Sequence, residues 1–161
     1  MDLVTMFIAV SLTALLFSPV VVTIRKRKQQ KEYLLQLITV EAGRRNSNIS
    51  NHEICGNSII GIDKKNSLLV FAKRNFKKEV VKSVNLNEYK KCSFEKNIRV
   101  EGSEDSPKTI IDRLFLAFTP MKEDKPKVEF DFYNTKETFT MSGEIESLGR
   151  WNRIVNQEIN N

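Results

Sequence analysis

The sequence predicts an α+β protein: an N-terminal apolar helix, about seven short antiparallel strands, and a closing amphipathic helix. Three observations carry that reading. Leu3–Ile24 is an uncharged apolar run long enough to cross a bilayer. From Ile54 to Met141, short apolar or alternating runs are separated by turn residues, which is the pattern of strands. Beyond Gly143, Ile145, Leu148, Trp151, Ile154, Val155 and Ile159 recur at helical spacing, with polar residues between them. Strands in series followed by one helix make an α+β order.

The first run, LVTMFIAVSLTALLFSPVVVTI, is roughly twenty-two residues long, and a hydrocarbon core of about 30 Å needs about twenty in a helix. Its hydroxyl residues can bond back to the helix, and Pro19 would kink the last turns. A cleaved signal peptide competes. It needs a basic start and a small-residue cleavage site, and here Asp2 stands at the start while Arg25-Lys26-Arg27-Lys28 follows the run directly. The pattern is that of a stop-transfer anchor. Because the flanking basic residues, Lys31 included, all follow the run, the positive-inside rule places the N-terminus outside and the rest of the chain in the cytoplasm. The same five residues form the membrane-surface cluster, where each is worth about 1 kcal/mol against an anionic leaflet. The chain thus divides into an anchor (1–24), a basic juxtamembrane segment with a short helix and loop (25–53), and a single domain (54–161).

Gln29–Glu41 is polar and then apolar at Leu34, Leu35, Leu37, Ile38 and Val40, as in a helix docking one face, and Ala42-Gly43 is expected to end it. Arg44–His52, rich in Asn and Ser, reads as a loop. Strands are predicted at Ser58–Ile62, Ser67–Ala72, Glu79–Leu86, Tyr89–Phe94, Asn97–Val100, Thr109–Phe118 and Val128–Tyr133, with Glu137–Met141 as the hairpin partner of the last. Asp63–Asn66 and Arg74–Lys78 have turn chemistry, and Glu101–Lys108 is an acidic Gly/Pro loop. Ser142-Gly143-Glu144 is expected to cap the final helix with an acid in its first turn.

The net charge is +6, from 26 basic against 20 acidic residues, but the membrane-side cluster holds most of it. Residues 32–161 carry 21 basic and 19 acidic residues, a balance that excludes a nucleic-acid footprint. Cys55 and Cys92 make no metal spacing and read as buried free thiols in a cytoplasmic domain; in an exported one they could pair. His52 is the only histidine, and no phosphate-loop, nucleophile-elbow or zinc-protease motif occurs, so no catalytic, cofactor or metal residues are assigned. His52, Glu53 and Cys55 are too few for a closed metal site. Trp151, spaced with Leu148 and Ile154, is assigned to the core.

The segments Ile59-Ile60-Gly61-Ile62-Asp63-x-x-Asn66-x-x-Leu69-Val70-Phe71, Val84-Asn85-Leu86-Asn87-Glu88-Tyr89-Lys90-Lys91-Cys92, the alternating Val128–Tyr133 and the Trp151 helix follow an apolar helix with a basic stop. Together they resemble an uncharacterised family of bacterial membrane-anchored PH-like (pleckstrin-homology-like) proteins, over roughly residues 1–28 and 54–159. The resemblance implies a seven-stranded, partly open antiparallel barrel capped by the last helix. Many relatives carry a Gly-rich apolar insertion where this chain has Glu101–Lys108, so whatever that insertion does does not carry over. The resemblance also points to phosphate-binding basic residues near the first hairpins, where this chain has Lys64, Lys65, Lys73, Arg74, Lys77 and Lys78.

These readings together imply a non-catalytic interaction module, anchored by a single pass at the cytoplasmic face of the cell membrane, with another protein as its partner. The alternative is a sensor of anionic lipid surfaces that uses the basic juxtamembrane cluster with the basic hairpin turns.

Overall fold

The protein is described by a computed structural model covering residues 3–75, 78–102, 107–138 and 140–161, with the side chains of residues 3–21 outside the description. The chain divides into two compact units, Met1–Tyr33 and Leu34–Asn161. The first unit is helical, part of α1 (Leu3–Arg44). Arg25, Lys26, Arg27, Lys28 and Lys31 are exposed on it, and Lys28 Nζ lies 3.9 Å from Glu32. Among the described residues no helix is long and apolar enough to cross a membrane, and all but the last three residues of the run Leu3–Ile24, Pro19 included, have side chains outside the description.

Over its described residues the second unit is α+β, with seven antiparallel strands in two sheets and a C-terminal helix, as predicted. The first sheet runs in chain order: β1 (Asn51–Cys55), β2 (Ser58–Asp63), β3 (Leu68–Asn75) and β4 (Lys78–Asn85). A single 3₁₀ turn, Leu86–Glu88, leads to the second sheet: β5 (Tyr89–Glu101), β6 (Lys108–Pro120) and β7 (Val128–Asn134). Helix α2 (Glu144–Ile159) follows and packs on β5, β6, β1 and the 3₁₀ turn.

The first sheet is covered on both faces. On the inner face, Ile60, Ile62, Leu69, Phe71 and Val84 meet Leu116, Phe118, Phe130 and Phe132 of the second sheet and Leu148, Trp151 and Val155 of α2. Phe71 stacks on Phe130 at 5.0 Å and tilts against Phe132 at 4.9 Å, so aromatic rings join the two sheets. On the outer face, Ile59, Leu68, Val70 and Ala72 are sealed by Leu34, Ile38 and Ala42 at the C-terminal end of α1. Every residue of β2 is buried in consequence, and so are the first six of β3. Double coverage explains why these strands are written as continuous apolar runs, whereas β7, covered on one face, alternates.

Gly61 sits at the closest approach of α1 to the sheet. A Cβ there would stand 2.8 Å from Ile49 Cγ2 and 2.9 Å from Ile38 Cδ1, inside van der Waals contact. The neighbouring turn is pinned by Asp63, whose carboxylate accepts bonds from the backbone N–H groups of Asn48 and Lys65, each at 3.0 Å, and from the Asn66 amide at 2.8 Å. Asn66 also donates to Ser47 Oγ at 3.1 Å. The Gly61-Ile62-Asp63-x-x-Asn66 pattern is therefore the seat of α1 and of the loop that follows it.

Five expectations are corrected. Residues 51 and 52, read as loop, begin β1; its polar residues hid a strand whose partners are the ladder to β2 and a contact from Glu53 to α2. Tyr89–Phe94 and Asn97–Val100 are one strand of 13 residues, because the polar Glu95 and Lys96 between them lie on an exposed ribbon. Glu137–Met141 does not pair with β7 over its described residues. Asn134 accepts from the backbone N–H of Lys136 and starts a turn over residues 135–137, and Phe139 lies outside the description. Helix α1 continues to Arg44 because Ala42 is itself buried against the sheet. The cap of α2 falls within the predicted Ser142-Gly143-Glu144 and the predicted acid stands in the first turn at Glu144, but the cap residue is Gly143, at φ 92° with no side-chain bond, and the carboxylate of Glu144 accepts from the Ser142 N–H.

Gly61→Ala is expected to displace the Ile38 and Ile49 side chains that close over the sheet and lower stability by about 1–3 kcal/mol. A urea midpoint, with proteolysis near residues 44–50 as the local readout, checks it; an unchanged midpoint would show that the fit at Gly61 is loose.

Candidate functional site

The basic residues of the first hairpins are not gathered into one site. Lys64 and Lys65 are exposed in the β2–β3 turn, while Lys73 and Arg74 lie at the far end of β3 and Lys78 begins β4 opposite Asn75. An eight-residue strand separates the two groups by roughly 25 Å. Lys77 lies outside the described residues. Arg74 stands opposite Glu79 in the β3–β4 ladder. Lys73 is buried, and its ammonium lies 2.6 Å from Glu137 Oε2, off the direction of a good hydrogen bond, so charge holds the pair. Burial alone would raise the Glu137 carboxyl, but the Lys73 ammonium beside it and a bond from Asn75 outweigh it and hold the group below the ordinary carboxylate range. Lys73 thus serves the fold and is closed to a phosphate.

The groups able to do chemistry are also engaged or quenched. Burial pushes Cys55 up to about 11, with Glu144 adding to the effect, and Cys92 up to about 12, so both thiols are free and protonated at neutral pH. His52 is exposed on β1, and its side chain points to the opposite face from those of Glu53 and Cys55. Glu53 accepts from Arg150 Nη2 at 2.6 Å and Nε at 3.2 Å, and from Trp151 Nε1 at 2.9 Å. Burial would raise its carboxyl, and Arg150 and Trp151 bring it below the usual range. Trp151, 1% exposed, is core as its spacing predicted. The Glu53 clamp was illegible because its members lie 97 and 98 positions apart. Among the described residues no group of three His, Cys, Asp or Glu could hold a metal ion.

What remains is the set of sheet edges. At β1, Glu53 ties the edge to α2. At β4 and β7, Lys82 Nζ reaches from one edge strand to the Glu129 carbonyl of the other at 2.7 Å. At β5, the Asn156 amide accepts from the Cys92 N–H at 3.0 Å and donates to the Cys92 carbonyl at 2.8 Å, filling both backbone positions as a neighbouring strand would. Beside it, Asn152, Arg153, Gln157, Asn160 and Asn161 line a shallow polar cavity of about 470 Å³.

Past Phe94, no strand among the described residues covers the outer edge of β5. Residues 95–101 are exposed, with Ile98 54% and Val100 66% open, and β6 beneath them is paired to β5 alone as far as Asp112. Arg99 stiffens this ribbon through Asp112 and Glu101, both at 3.2 Å. The ribbon is a long exposed edge with no strand partner among the described residues and with Ile98 and Val100 open on it, and such an edge is a template for strand addition.

Glu137→Gln should leave the Lys73 ammonium buried without its counter-charge and cost about 1–3 kcal/mol by chemical denaturation. Restoration by Lys73→Met in the same chain would identify the stranded charge as the cause; no loss would show that Lys73 reaches water. The carboxyls of Glu41, Glu53, Asp63 and Glu137 all lie below their ordinary values. A depressed folded value stabilises fully above the unfolded value of about 4 and loses that effect as pH falls through the folded one. The urea midpoint is therefore expected to be flat from pH 7 to about pH 5 and to drop steeply below about pH 4; a loss centred near pH 6 would contradict this assignment. No family model, curated protein or solved structure matches the chain.

Proposed function

We propose that the chain is a membrane-anchored, non-catalytic interaction module of PH-like architecture, held by Leu3–Ile24 with its domain on the cytoplasmic face. The open outer edge of β5 carries this reading, since residues 95–101 are exposed and no strand among the described residues pairs with them along it. The order of four strands, three strands and a helix supports a PH-like barrel with α2 as its plug. The basic cluster Arg25–Lys31 after the apolar run supports the orientation, because each Lys or Arg moved to mid-bilayer costs a few kcal/mol. Strand addition at β5 gives a partner backbone hydrogen bonds for affinity and the Ile98/Val100 face for specificity. In the competing reading, a lipid sensor, the basic juxtamembrane cluster would act with the basic hairpin turns, but those turns stand roughly 25 Å apart and Lys73 is paired with Glu137.

Two measurements test the proposal. A C-terminal cytoplasm-only fluorescent reporter should light up and an alkaline phosphatase fusion should stay inactive; an active phosphatase would place the domain outside. Ile98→Pro removes an N–H that faces outward on β5 and should abolish cross-linking of the full chain to its membrane partner while leaving the melting temperature within about 3 °C. Salt-sensitive binding to anionic vesicles with undiminished cross-linking in Ile98→Pro would favour the sensor instead.

A further inference from the structure

We infer that the outer edge of β5 pairs antiparallel with the same edge of a second copy of this chain, about a two-fold axis at Asn97. This names the partner of the proposed interaction edge and rests on that reading for its purpose, though not for its geometry.

The backbone sets which registers are possible. Asn156 takes both the N–H and the carbonyl of Cys92, so Cys92 faces outward from the β5–β6 ladder. Alternate residues share that direction, and the register shift at Asn97/Ile98 leaves its extra residue, Asp112, on β6. Phe94, Lys96, Ile98 and Val100 therefore present free backbone groups along the edge. Two copies can pair only in registers that set outward residues against outward residues.

The side chains select one of those registers. Centred on Asn97, Glu95 stands opposite Arg99 of the other copy, Phe94 opposite Val100 and Lys96 opposite Ile98, each twice by symmetry. Both charge pairs are attractive, and Phe94 with Ile98 and Val100 forms one apolar strip on the face that carries Cys92. Moving the axis to Ile98 opposes Glu95 to Glu101 twice, moving it to Lys96 opposes Lys96 to itself, and moving it to Arg99 opposes Arg99 to itself. Like charges directly opposite destabilise a strand pair. Among axes from Lys96 to Arg99, the segment Phe94-Glu95-Lys96-Asn97-Ile98-Arg99-Val100 is thus complementary to its own reverse only at Asn97; an axis at Val100 also opposes Arg99 to Glu101 but pairs fewer of the described edge residues.

The pairing also answers the exposure of this ribbon. It covers Ile98 and Val100, 54% and 66% open in the single chain, and joins two three-stranded sheets into one of six through about eight new backbone bonds. It stops at Phe94, short of the Cys92 position that Asn156 already fills.

Asn97→Cys in the full chain, purified in mild detergent, tests it. Residues at a non-hydrogen-bonded pair lie about 4.5 Å apart between Cα atoms, within disulfide reach, and Cys55 and Cys92 are buried. Mild oxidation should link most of the Asn97→Cys chains. Ser93→Cys, more than about 25 Å from its own copy in this register, should stay unlinked. Adding Glu95→Arg or Arg99→Glu to Asn97→Cys should each weaken self-association roughly tenfold, and mixing the two variants should restore it as a heterodimer. A monomeric full chain with no Asn97→Cys link overturns the inference. So does a link that charge reversal leaves unchanged, which would mean another contact. If Asn97→Cys links instead to a different membrane protein, the second copy is wrong and the interaction edge stands; if it links to nothing and Ile98→Pro changes nothing, both fall.

Discussion

The structure depends on a sheet that must be covered twice. β2 and β3 carry apolar residues on both faces, so neither the second sheet nor α1 can be dispensed with. Removing either layer would expose a face of buried Ile, Leu, Val and Phe, each worth about 1.5–3 kcal/mol when taken out of water. This requirement puts the C-terminal end of α1 into the same compact unit as the strands. It also explains Gly61, a strand position where Ile38 of α1 and Ile49 of the following loop come too near for a side chain.

Acidic residues supply the fasteners. Asp63 gathers the turn beneath α1, Glu41 accepts from Ser83 at 2.9 Å to hold the same helix to β4, Glu53 binds β1 to α2, and Glu137 neutralises the buried Lys73. Each carboxylate joins segments distant in sequence, and each is held ionised by the donors around it. A domain of modest apolar content thus gains order from a few charged bonds, in addition to a core of aromatic rings between the sheets.

What was legible in the sequence is what local periodicity encodes. The alternation of Val128–Tyr133 and the helical spacing from Leu148 to Val155 each report one buried face, and both elements are present with those faces inward. Turn chemistry at Asp63–Asn66 was equally plain because Asp and Asn bond their own backbone. Illegible were the elements whose reasons lie elsewhere in the chain. β1 is polar because Glu53 answers Arg150, β5 passes through Glu95 and Lys96 because nothing covers them, and Glu137 leaves the sheet to meet Lys73. The hairpin lysines look equivalent in sequence; only the ladder shows that Lys73 is interior and that Lys64 and Lys65 stand at the opposite end of a strand from Lys78.

Asn156 gives the edge of β5 a property beyond its two bonds to Cys92. A carboxamide has the donor and acceptor of a peptide group but no chain beyond it, so it completes the ladder at that point without extending it. It works as a registration mark: a strand sliding along β5 toward Tyr89 meets a place already taken and can go no further. The limit of that sliding is then set from α2, by a residue outside both sheets. A change confined to that helix, Asn156 to an apolar residue, would lengthen the open edge and permit slipped pairings without altering a single residue of the strand itself.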